Sequence, residues 1–175
     1  MKRVLLIILL IAGIGAFTAS AQKIGYVDTE YVLKHMPEYS AAQKQINDLS
    51  AQWQKEIDKK FDEVDALYKA YQSEQMLLTD AMRKKREDEI VKKEKEAKDF
   101  QKEKFGPEGE LFAKQKALVK PIQDKVYKVI EQIAEDGMYA IIFDKSNGML
   151  YSSPRYDKSN DVLAKLGLKP GEFAK

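Results

Sequence analysis

The chain has 175 residues, 44% of them hydrophobic and 33% charged, with one Trp, one His and no Cys. That balance belongs to a globular or coiled-coil protein rather than a disordered one, and the length fits one ordinary or one elongated domain. The lack of Cys excludes a disulfide scaffold, a thiolate zinc site, a Cys nucleophile and a lipid-anchored Cys, while a single His excludes chemistry built on paired imidazoles.

Residues 1–21 read as a secretory signal peptide. Lys2 and Arg3 form a basic start, Val4 to Ile14 is an apolar run, and Ala19-Ser20-Ala21 is a small-x-small processing site, placing cleavage between Ala21 and Gln22. The run falls short of the ~20 residues that span a bilayer, so the segment reads as a cleaved export signal rather than an anchor. Without Lys2 and Arg3 the remainder carries 28 basic and 28 acidic residues. A neutral protein lacks the basic excess that nucleic-acid phosphates require.

Lys23-Ile-Gly-Tyr-Val-Asp28 reads as a short strand, and Thr29-Glu30-Tyr31 opens a helical stretch capped by Asp28 or Thr29. Pro37 interrupts it, and a new helix is expected near Glu38, since Pro suits a first helical turn. From there Tyr39, Ala42, Ile46, Leu49, Trp53, Ile57, Phe61, Val64, Tyr68 and Tyr71 recur in steps of three and four. At 3.6 residues per turn these positions share one stripe of a long amphipathic helix. Gln72 to Asp80 breaks the pattern, and Thr79 or Asp80 caps a second helix. Between Met82 and Lys104 ten basic and seven acidic residues leave only Ile90, Val91, Ala97 and Phe100 as apolar contacts.

Phe105-Gly106-Pro107-Glu108-Gly109 predicts a break, with Gly106, Pro107 and Gly109 as a hinge. The sequence Gly106-Pro107-Glu108-Gly109 has neither a Lys-Ser/Thr pair nor a preceding strand, so it is not a phosphate loop. The seam resumes at Val119, Ile122, Val126, Val129 and Ile133, with Pro121 implying either a fresh helix or a kinked one, and Asp136-Gly137 ends it. Tyr139 to Asp144 reads as a buried strand, Asn147-Gly148 as a hairpin turn, and Met149 to Tyr151 as the return strand. Asp157 to Asp161 caps a short last helix, Val162 to Leu166, ended by Gly167.

The fold class expected is α+β. A long antiparallel α-helical hairpin arm, residues 38–117, projects about 60 Å from a small β body formed by residues 22–37 and 118–175. Three short strands cannot bury a core alone, so self-association through Ile24, Tyr26, Ile141, Phe143 and Leu150 is expected. If the hairpin turns near residue 78, Asp62 and Glu63 lie near Lys92 to Lys95, and Asp58 near Lys98, as cross-helix ion pairs. Arg83-Lys84-Lys85-Arg86 is followed by Glu87-Asp88-Glu89 and reads as a solvated helix face. His35 reads as a packed structural residue, and Asp28 and Asp144 as caps rather than a carboxylate pair. Near the arm tip Tyr68, Tyr71, Met76, Leu77, Leu78 and Met82 are divided between packing and adaptable contact with a client protein, a use that Met and Tyr suit.

In this order, the signal peptide, the Lys23–Asp28 strand, the charged hairpin, the Tyr139–Asp144 strand, Tyr151-Ser152 and the closing Asp161-Val162-Leu163 helix resemble the OmpH/Skp family of periplasmic chaperones. The resemblance covers nearly everything after the signal peptide. It implies a homotrimer whose strands close into a small barrel, with three arms around a cavity for unfolded outer-membrane β-barrel proteins. The best-known members are basic and this protein is neutral, so contact with lipid or lipopolysaccharide is not carried over. The function expected is an ATP-independent periplasmic holdase with no catalytic residues, metal or cofactor. The alternative is a structural coiled-coil adaptor of the cell envelope, which would want an unbroken seam to the tip.

Overall fold

The computed structural model describes residues 22–171 and Phe173; the signal-peptide reading of residues 1–21 lies outside them. Strand β1 (Lys23–Val27) leads into helix α1 (Thr29–Lys34) and the long helix α2 (Pro37–Glu74). A 3-10 turn at Gln75–Leu77 reverses the direction into α3 (Asp80–Phe105), and α4 (Glu110–Gly137) returns to the body. Strand β2 (Tyr139–Asp144), a 3-10 turn at Pro154–Tyr156 and helix α5 (Ser159–Lys165) complete the fold.

Local chemistry sets these boundaries. The Asp28 carboxylate accepts the Tyr31 N–H at 2.9 Å and so caps α1. Pro37 sits at the first position of α2, where its missing N–H costs nothing. Thr79 caps α3 by accepting the Met82 N–H at 3.3 Å. Helix α4 runs through Pro121 without a break because its ring lies on the exposed face, leaving the Ala117 carbonyl to water. The helix ends in a left-handed residue, Met138 (φ 53°), whose N–H turns back to Ala134 and Glu135.

The two strands pair in parallel, with Ile24 opposite Ile141 and Tyr26 opposite Phe143. One face of this sheet, through Val27 and Ile142, packs on a core formed by Val32, Leu33, Met36, Ile122, Val126, Val162 and Leu163. At α2's 38 residues and about 1.5 Å per residue, the arm reaches about 57 Å. Trp53 meets Phe105, Lys60 lies over Phe100, Tyr71 bonds Glu87 and Glu74 pairs Arg86, one antiparallel register converging on the turn.

Three expectations are corrected. The strand Tyr139–Asp144 forms but is not buried in the protomer, since only one of its faces meets the core. Met149 to Tyr151 does not return as a third strand. The Lys145–Gly148 turn leads away from β2, and the backbone instead runs to the far edge of β1, where Lys158 donates to the Tyr26 carbonyl at 2.8 Å. Beside β2, Leu150 would find nothing in the single protomer to cover it, so a hairpin there would bury no apolar surface. The cross-helix ion pairs of Asp58, Asp62 and Glu63 are also absent among the described residues. Glu74–Arg86 at 3.7 Å is the pair joining α2 to α3, while Asp65–Lys69, Glu94–Lys98 and Lys93–Glu96 form within single helices. Apolar side chains occupy the line between the helices and turn the charges outward, where neighbours three or four residues along are nearest.

Candidate functional site

The arm is dry near the body and open toward the tip. Ala42, Ile46, Trp53 and Ile57 are buried along α2, and beyond Ile57 only Tyr71 is. Helix α3 buries a single residue, Ala97. The apolar stripe passes through half-buried Leu67, leaving the expected Tyr68 half exposed. A groove of about 550 Å³ follows, floored by Phe61, Val64, Tyr68, Ile90 and Val91 and edged by Asp65, Glu87 and Glu94.

The tip divides the six expected contact residues into two sets. Tyr71 is buried and its hydroxyl donates to Glu87, an acceptor that holds the phenol above its ordinary pKa. Leu78 is partly buried, and its carbonyl accepts from Arg83 at 3.2 Å. These two close the turn. Met76 and Leu77 are 89% and 86% exposed, and Tyr68 and Met82 about half. A 3-10 turn has too few residues to cover its own side chains, which is why Met76 and Leu77 stand in water.

At the other end of the arm, the expected hinge is braced. The Lys104 ammonium reaches Glu103 at 2.9 Å and Glu110 at 2.5 Å, linking the end of α3 to the start of α4. It also lies over the rings of Trp53 and Phe100, 5.3 and 5.2 Å from their centroids. The hydrogen bond to Glu110, then that to Glu103, raises its pKa. Gly106 and Gly109 permit this join, since a Cβ would lie 2.4 Å from the Lys102 carbonyl oxygen at Gly106 and 2.8 Å from that of Glu103 at Gly109. Pro107 sits exposed between them. Sequence reading found the break and missed the brace, because a cation held by two rings and two carboxylates has no spacing signature.

On the body, the outer face of the sheet is uncovered. Ile24, Ile141 and Phe143 are about half exposed and Leu150 fully so, whereas Tyr26 is buried within the protomer. The second edge of β2 pairs with nothing among the described residues. His35 is buried, with Nδ1 on the Tyr31 carbonyl at 2.8 Å and Nε2 accepting from Gly171 at 3.2 Å, a fully bonded structural residue. Asp144 accepts from the Thr29 hydroxyl at 2.8 Å and the Ser146 N–H at 3.0 Å, so it caps rather than pairs with Asp28. Burial acts to raise the Asp144 pKa, but these donors outweigh it and hold the carboxyl below its usual value. Among the described residues no group of three or more His, Cys, Asp or Glu could hold a metal, and no helix is long and apolar enough to cross a membrane.

Residues 23–166 match the family described as Outer membrane protein (OmpH-like). An uncharacterized protein of Aquifex aeolicus (strain VF5) is 30% identical over 166 residues, covering 95% of this chain and 96% of that one. A crystal structure from Caulobacter crescentus CB15, of a protein assigned as an OmpH-like outer membrane chaperone, superposes with a TM-score of 0.66. It covers 87% of this chain and 88% of its own, and at 13% identity the likeness is one of fold.

Proposed function

Because the chain belongs to the OmpH-like family, we propose that it is an ATP-independent periplasmic holdase that keeps unfolded outer-membrane β-barrel proteins from aggregating. The observation that carries this reading is the distal arm. Its apolar stripe opens into a groove and ends in uncovered Met76 and Leu77, on a hairpin otherwise coated with charge. An unfolded barrel protein exposes long alternating apolar strands. Many weak contacts along such an arm, from Tyr68, Met76, Leu77 and Met82, hold it without a fixed pose, while Tyr71 and Leu78 keep the tip closed. A fixed adaptor would want the buried seam continued to the tip, and burial here thins out beyond Ile57.

The working unit is a homotrimer exported by the residue 1–21 signal and cleaved between Ala21 and Gln22. Ile24, Ile141 and Phe143 provide an uncovered apolar face beside an open strand edge, the combination that natural sheets cover by pairing. Tyr26 is part of the same strand as Ile24, and bare Leu150, off the sheet, is a further contact. Three arms then enclose a client, with Gly106, Pro107 and Gly109 as the joint at which each is set.

The test is dilution of a urea-unfolded barrel protein into buffer. The mature protein suppresses light scattering near one trimer per client, and no suppression at several-fold excess refutes the reading. Removing the arm between Val64 and Phe100 abolishes protection and leaves the trimer intact. Ile141→Asp dissociates the trimer, because an unpaired charge buried in a sheet interface costs several kcal/mol; a variant that stays trimeric by light scattering refutes the interface.

A further inference from the structure

The Asn147-Gly148 turn does not form a hairpin, and its chemistry points elsewhere. Asn147 and Gly148 are exposed, Gly148 has φ +83°, and nothing lies within 4 Å of where its Cβ would be. The Asn147 amide donates from Nδ2 to Asp144 Oδ2 at 3.0 Å. Asp144 in turn receives the Thr29 hydroxyl at 2.8 Å and the Thr29 N–H at 3.3 Å, tying the end of β2 to the first turn of α1. We propose that Asn147 is a site of spontaneous deamidation, and that its product, a carboxylate facing Asp144, loosens this tie between β2 and α1.

The step needs only water. The Gly148 backbone nitrogen gives up its proton to solvent and attacks Cγ of the Asn147 amide. The bond from Cγ to Nδ2 breaks, ammonia leaves, and a five-membered succinimide remains. Water then opens the ring at either carbonyl, giving aspartate or isoaspartate. Glycine favours the closure because no side chain shields the attacking nitrogen and the backbone reaches conformations other residues avoid. The other two asparagines are hindered. Asn47 lies inside α2 and Asn160 inside α5, each followed by Asp, and Asn160 Oδ1 also accepts the Tyr31 hydroxyl at 3.2 Å. A helical backbone holds the following nitrogen away from Cγ.

The product matters because of its neighbour. A donor within hydrogen-bond distance of Asp144 becomes a second negative charge, and like charges so close oppose each other. The adjacent cation, Lys145, is paired to Asp28 at 3.4 Å. Isoaspartate also lengthens the backbone just before Met149 and the exposed Leu150 and Tyr151. None of this depends on the chaperone reading.

The test ages the purified protein in mildly alkaline buffer and follows the tryptic peptide Ser146–Arg155. Most of that peptide gains about one mass unit and carries isoaspartate, while the peptides bearing Asn47 and Asn160 stay unchanged. A folded protein unchanged when a synthetic Ser146–Arg155 peptide has converted, or equal conversion at all three asparagines, overturns the site. For the consequence, amide exchange at Thr29 and Glu30 is severalfold faster in N147D than in N147A, which loses the donor without gaining charge. Equal exchange in the two overturns the loosening. Should N147D fail to fold, the aged protein separated from fresh by ion exchange gives the same comparison.

Discussion

Ile57→Ala tests how the arm is held. Ile57 is 1% exposed and is the most distal well-buried aliphatic side chain of α2, with Tyr71 alone buried beyond it. The substitution removes three carbons, about 2.4 kcal/mol at ~0.8 kcal/mol per buried CH₂. A residual cavity adds to this, but two helices can close over it more easily than a three-layered core, so the expected loss is about 2.5–3.5 kcal/mol. The effect is local. Helix α3 buries Ala97 alone whereas α4 buries Ile122, Val126 and Ile133, and opening follows buried apolar contact. Native-state amide exchange in Ile57→Ala therefore accelerates from residue 53 outward on α2 and across the facing part of α3, while residues 122–133 keep their protection. Val91→Ala, at a 63% exposed position, is the control and changes stability by less than about 0.5 kcal/mol. A loss below about 1 kcal/mol for Ile57→Ala, or acceleration spread evenly into the body, refutes the picture of an arm secured at its proximal seam. On the proposed holdase reading the variant also protects a client less well, because a frayed arm no longer presents its groove.

Lys104→Met keeps an unbranched side chain one atom shorter and removes the charge that joins α3 to α4; small-angle scattering then shows a broader spread of tip-to-body distances, and an unchanged profile excludes the brace. Met138→Gly relieves the left-handed conformation at φ 53° and raises stability by about 0.5–1 kcal/mol in thermal melting; an unchanged or lower midpoint refutes the strain at this position. Acid weakens the body: Glu38, lowered by its bond to Lys125, and Asp144, lowered on balance by its donors, both have folded pKa values below their unfolded ones. Their stabilisation is present above the ordinary carboxylate range and is lost as pH falls below about 4 through the folded values, so thermal midpoints hold from neutrality to mild acid and then drop, more shallowly in Glu38→Gln.

Local signals in the sequence determined most of the fold. The three-and-four spacing from Tyr39 to Ile57 defines one helical stripe whatever it packs against, and Pro37, Thr79 and Gly106 punctuate the backbone through their own local chemistry. The same holds for Asp28, which caps the N–H of Tyr31 three residues on, whereas Asp144 takes Ser146 nearby but also Thr29, remote in sequence. Tertiary structure decided what depends on partners remote in sequence. It took Met149–Tyr151 away from β2, because strand pairing is stable only where a side chain finds cover. It turned the arm's charges to neighbours on their own helix, because apolar residues hold the space between helices. It also seated Lys104 between Trp53 and Phe100, 51 and four positions away, and split the tip residues between Tyr71, buried, and Met76, bare. Spacing along the sequence fixes which side of a helix a residue takes; only the neighbouring helix fixes what meets it there.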